Sequence, residues 1–267
     1  MKRISIIIIT LIFLCVSGRS QAQGVHFEAN DPVVRYTVES GMMLHRYFKA
    51  YDVAIDTLRK VIGDKPLPEA LGNGPQGAGW SFTWGEFEEP YVFIVKYGIV
   101  VDGDGKVTSF DIYEDRYVNE THHMLAARAY LAMKSKIEMS REAFGLKGIP
   151  IRIAVLPFPE RELSIFVGPA QPKVGVSRFG ADFMYNANRF TSQLTNMMRY
   201  HHSVMEIPLE LPEGAEAALM VPDAPLFSPM DVAVAQERGT KVIVLAKSGT
   251  WVIFPDGRVG KVDPPRN

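Results

Sequence analysis

Six side chains in the second half of this 267-residue sequence have the types needed for proton or metal chemistry: Asp182, His201, His202, Glu206, Ser228 and Asp231. A histidine set against carboxylates can bind a metal or can exchange protons as a general acid or base. Residues 191–206 read as one strand, which turns His201 and His202 to opposite faces, so one of them at most joins such a site. Ser228-Pro229-Met230-Asp231 also reads as an ordinary helix start. The serine caps the first amides, proline takes the first helical position, and the aspartate complements the positive helix end. The sequence contains no Gly-x-Ser-x-Gly elbow, phosphate loop, dinucleotide fingerprint or His-Glu-x-x-His pattern.

The elements that must position these groups follow from hydrophobic spacing. Ala217–Val221 reads as a short buried strand bounded by Pro222 and Pro225, followed by a helix from Ser228. Lys241–Ala246 and Thr250–Phe254 read as paired strands around Lys247-Ser248-Gly249. Upstream, Ile151–Leu156, Leu163–Val167, Phe183–Ala187 and the run from Thr191 to about Met205 are strands separated by Pro- and Gly-rich turns, which argues for antiparallel pairing. Glu120–Phe144 has Ala126, Tyr130, Met133, Ile137 and Phe144 at helical spacing and predicts the longest helix, able to cover one face of the sheet. His122 and His123 in its first turn point about 100° apart, which makes a shared metal difficult. Trp80–Glu86, Tyr91–Val101 and Val107–Tyr113 are further strands. Asp102-Gly103-Asp104-Gly105 joins the last two as a tight turn, lacking the distant Glu of a calcium loop. Residues 40–62 form an amphipathic helix, and 63–79, rich in Pro and Gly, a loop or boundary. The expected fold class is α+β: a mostly antiparallel sheet against a long helix over 80–267, with a helical N-terminal extension and loop over 23–79.

The first residues carry Lys2 and Arg3, then an apolar run from Ile4 to Val16 and a small-x-small site at Ser20-Gln21-Ala22. This predicts a signal peptide over 1–22, and so a periplasmic or extracellular protein. Cleavage there removes Cys15, the one cysteine in the sequence, and leaves a cysteine-free mature chain that must be stable without a disulfide. Loss of Lys2, Arg3 and Arg19 from a chain of formal charge −1 gives −4. With no basic block, nucleic acid is not an expected partner, and no second apolar run has membrane-spanning length.

From Ile149 to Val262, the order of strand, Pro-containing loop, Ser-x-x-Asp, helix, strand and strand resembles the active-site half of the JAB/MPN (JAMM) metalloprotease fold. In that family a His-x-His pair and a downstream Asp bind zinc, a Ser in Ser-x-x-Asp stabilises the oxyanion, and a Glu activates water. Ser228, Asp231 and Pro222 match, but the histidine pair falls on or near Leu219 and Val221, which cannot ligate zinc. The chain is also similar to uncharacterised secreted bacterial proteins marked by four segments. These are Val155-Leu156-Pro157, Gly180-Ala181-Asp182 (Ala181 where a second Gly is usual), Arg199-Tyr200-His201-His202 and Ser228-Pro229-Met230-Asp231-Val232.

The resemblance implies a degenerate scaffold without catalytic zinc. The expected role is non-catalytic binding or assembly with a protein partner, through an apolar loop containing Met220, Pro222, Asp223, Leu226 and Phe227. One alternative is a metal-dependent, peptidase-like hydrolase with a rearranged His/Glu/Asp site, the one reading that calls for a cofactor, zinc. Another is a periplasmic immunity or inhibitor protein. Oligomeric state is not specified.

Overall fold

A computed structural model describes residues 25–26, 31–89, 92–119, 122–157, 162–188, 190–211, 217–221 and 224–262. The expected signal peptide with Cys15, and Pro222 and Asp223 of the expected contact loop, lie outside them.

After β1 (Val25–His26), the longest described helix, α1 (Pro32–Ile62), begins eight residues before the predicted start. Asp31 sets that start: its side chain accepts from the amides of Val33 and Val34, and Pro32 follows with its φ already helical. The helix ends at Gly63, which takes φ 64. Leu44, Tyr47, Phe48, Ala54 and Leu58 form its buried stripe, as helical spacing requires.

β2 (Ala70–Gln76), β3 (Gly79–Glu89), β4 (Val92–Val101) and β5 (Val107–Val118) form an antiparallel meander in that order. Residues 63–79, expected as a loop, therefore contain a strand. β2 is the edge, where Pro75 opposite Trp80 costs no central ladder bond. The turn at Asp102 is built as expected, Asp102 Oδ1 accepting from the amides of Asp104 and Lys106.

α2 (His122–Ser140) stops four residues short of the predicted Phe144, gives way to turns and is shorter than α1. β6 (Ile151–Pro157), β7 (Glu162–Pro169), β8 (Val176–Gly180), β9 (Phe183–Asn188), β10 (Leu194–Arg199) and β11 (Val204–Pro208) follow. They assemble as an antiparallel sheet in the order β10-β9-β7-β6, with β8 and β11 as a separate antiparallel pair. Helix followed by a four-stranded antiparallel sheet thus occurs twice, an arrangement with no visible repeat in the sequence.

β12 (Ala217–Val221), α3 (Pro229–Arg238), β13 (Val242–Ala246), β14 (Gly249–Ile253) and β15 (Val259–Val262) complete the chain. β12 runs parallel to β13, the α3 crossover making this possible, and the remaining pairs of this sheet are antiparallel. The protein is α+β with mostly antiparallel sheets. One core cluster runs from Leu44 and Tyr47 on α1, through Phe82 and Trp84 on β3 and Phe166 on β7, to Met230 and Ala233 on α3, so packing is continuous across residue 79. Among the described residues no helix is long and apolar enough to cross a membrane.

Candidate functional site

The run expected as one strand from Thr191 to Met205 is two, β10 and β11, with a corner between them. An equal corner separates β8 from β9. The two corners face each other: Ala181 N donates to Ser203 O at 2.9 Å, and Tyr200 N donates to Asp182 O at 3.1 Å. The pairs β8–β11 and β9–β10 are therefore one antiparallel ribbon bent through residues 181–182 and 200–203. Gly180 (φ 80) and Ala181 (φ 45) make the bend. Ala181 holds a left-handed backbone that L residues with a Cβ resist. Arg199 braces the other strand, its guanidinium donating to the carbonyls of His201, His202 and Ala143.

This corner brings three of the six sequence candidates together. His201 Nδ1 is hydrogen-bonded to Asp182 Oδ1, and His201 Nε2 lies 3.4 Å from Asp231 Oδ2. Asp231 reaches the ring from the first turn of α3, where it is also half of a capping box. Ser228 N donates to Asp231 Oδ2 at 2.8 Å, and Asp231 N donates to Ser228 Oγ at 3.1 Å. Three segments singled out in the sequence, Gly180-Ala181-Asp182, Arg199 to His202, and Ser228 to Asp231, thus meet at one point.

The cluster is closed to solvent. Asp182 is 0 % exposed, His201 3 %, Asp231 1 % and Ser228 0 %. Burial alone would lower the His201 pKa, but the facing carboxylates of Asp231 and Asp182, with the hydrogen bond to Asp182, outweigh it and lift it to about 9. Burial raises Asp231 to about 6, repulsion from Asp182 adding to it, against the attraction of His201 and the bonds from Ser228. A protonated His201 between two carboxylates is the arrangement these shifts describe. Asp182 Oδ2 and Asp231 Oδ1 are buried without hydrogen-bond partners.

The other sequence candidates do not join. Glu206 turns outward to pair with Arg178 Nε at 2.9 Å, its side chain 51 % exposed. His202 is exposed beside the buried His201. The Ser228 hydroxyl is occupied by the helix cap. Among the described residues no group of three or more His, Cys, Asp or Glu side chains is placed to hold a metal ion. In the expected contact loop, Phe227 is fully buried with its ring 5.4 Å from that of Trp251, and Leu226 is half-buried on the same core. Phe227 is therefore not a free contact surface.

Sequence reading missed an open cavity of about 400 Å³ walled by α1, α2, β6 and α3. Phe48, Tyr51 and Tyr130 supply aromatic wall, and Asp52, Glu138, Glu237, Lys134, Arg141 and Arg152 supply charge. Arg152 lies over the Phe48 ring, 4.1 Å from its centroid, and donates Nη1 to Glu237 at 2.7 Å. Its Nε and Nη2 are buried without acceptors. Burial pushes Asp52 up to about 6, with Glu237 adding to the effect and Arg152 opposing it. The residues lie on four elements far apart in sequence and follow no local pattern. The sequence anticipated the helix over residues 40–62 that forms one wall, but not the cavity. Comparison with protein-family models, with curated proteins and with solved structures finds no match to this chain.

Proposed function

We propose that this is an exported, non-catalytic binding protein in which Asp182, His201 and Asp231 act as a structural clamp and ligand recognition occurs elsewhere. The observation that carries this reading is the closure of the cluster, whose three ionisable groups are at most 3 % exposed. A general acid or base must come within hydrogen-bond reach of a substrate, and a catalytic metal needs an open coordination position. A sealed Asp–His–Asp group supplies neither, whereas it does tie the ribbon corner to the cap of α3.

The order of β12, α3, β13 and β14 supports a degenerate JAB/MPN-like scaffold. Leu219 and Val221, where that family has its metal-binding pair, lie buried in β12. The convergence of Asp182, His201 and Asp231 keeps a rearranged hydrolase as the second reading, which requires the α3 cap to swing away from His201.

Metal content after zinc exposure and exhaustive dialysis separates the two. The binding reading expects no retained zinc and no change on Asp231→Asn. About one zinc per chain, lost in that variant, would establish a metal site and overturn it.

A further inference from the structure

We propose that the cavity between α1, α2, β6 and α3 binds a small zwitterion, a free amino acid or short peptide, with its ammonium group on Asp52 and its carboxylate on Lys134. The inference rests on the reading of this chain as a binding protein and names the ligand class.

The charges lining the cavity decide between ligand types. Arg152 and Glu237 are paired at 2.7 Å, and Arg141 and Glu138 at 2.9 Å. Asp52 and Lys134 remain, one charge of each sign, and neither makes a hydrogen bond or ion pair among the described residues. An anionic ligand would satisfy Lys134 and bring a like charge to Asp52, and a cation would do the reverse. A molecule carrying both charges leaves neither end opposed. Each end forms a charge-assisted contact, stronger than a neutral hydrogen bond.

The surroundings fit the same class. Arg152, its side chain 10 % exposed, has its charge matched by the Glu237 carboxylate and keeps two nitrogens without acceptors in the wall near Asp52. Asp52 is a carboxyl held towards its neutral form by burial and by Glu237, which an arriving ammonium would relieve. Phe48, Tyr51 and Tyr130 offer an apolar wall for a side chain. A volume of about 400 Å³ lies at the small end of ligand sites, which run from about 300 to 1,000 Å³.

The test is calorimetric titration of the purified protein with the common amino acids and glycyl dipeptides, then with N-acetylated and C-amidated forms of whichever binds best. The same titrations are run on Asp52→Asn, Lys134→Gln and, as a control outside the cavity, Lys147→Gln. Blocking either end of the ligand is expected to weaken binding at least about tenfold, the loss of one charge-assisted bond. The variants should cross over: Asp52→Asn loses discrimination against the acetylated ligand, Lys134→Gln against the amidated one, and the control matches the wild type. Equal binding of free and blocked ligands, unchanged affinities in both cavity variants, or no zwitterion binding at millimolar concentration overturns the proposal. Inorganic phosphate and spermidine are titrated alongside. Capture of either without a zwitterion defeats the ligand class and leaves the binding reading standing. Turnover of a peptide probe defeats the binding reading itself.

Discussion

Replacing Asp182 and Asp231 together by Asn removes both carboxylates that hold a proton on His201, while keeping amide groups of nearly the same shape in the clamp. His201 titrates at about 9 in the folded chain against an ordinary 6.5. At about 1.36 kcal/mol per unit, this difference is on the order of 3 kcal/mol. Because the folded value is raised, the contribution is fully present below about pH 6.5 and is lost as pH rises through about 9. For a domain of this size 3 kcal/mol corresponds to roughly 6–12 °C in melting temperature. Asp52 and Asp231, both raised to about 6, lose their contributions between about pH 4 and 6, below that window. His123, lowered to about 4 by burial first and by His122 second, acts on the acid side as well. Urea unfolding of the wild type at pH 6.5, 7.5, 8.5 and 9.5 should therefore show a steady fall, and the double variant a flat profile across the same range, whatever its absolute stability. A flat wild-type profile, or an equal slope in the double variant, would refute the protonated clamp.

Three substitutions test packing. Gly41 on α1 faces α3 so closely that an added Cβ would lie 2.5 Å from Val232 Cβ and 2.7 Å from Pro229 O; Gly41→Ala should cost about 2–3 kcal/mol in denaturant unfolding. Phe227→Ala should cost about 3–5 kcal/mol, because the ring is fully buried against Trp251. A folded variant of unchanged stability would return Phe227 to the role of a surface contact. Ala181→Val should cost about 2 kcal/mol or more, since a β-branched residue resists φ 45, while Ala181→Gly should stay within about 1 kcal/mol, strain relief offsetting a lost buried methyl. Equal effects of the two would remove the conformational explanation.

The helix over residues 40–62, the turn at Asp102, the capping box at Ser228 and the paired strands after Lys241 were legible because each is written in local spacing or turn chemistry. The start of α1 was misplaced because its opening turns are crowded with the β-branched residues Val33, Val34, Thr37 and Val38, which blur the helical signal, while Asp31-Pro32 held the cap. The corner at 200–203 was read through as strand, since a bend paired across the ribbon leaves no run of Gly and Pro, and β8, which leads into the facing corner at 181–182, was not read at all. Of the candidates, Asp182, His201 and Asp231 were named, but burial could not be read from residue type. A sealed clamp and an open site have the same letters. Glu206 was misassigned because Arg178 faces it across β8 and β11, a register invisible before β8 is recognised.

Gly41 and Val232 meet across roughly 190 residues of chain, and β1 pairs with β15 at the far end. At a synthesis rate of about 5–20 residues per second, α1 waits about 10–40 s before α3 exists to receive it. Throughout that interval its apolar stripe lacks part of its seat, and the chain cannot complete its closure. The seat of α1 and the partner of β1 are thus supplied by α3 and β15, elements synthesised long after them.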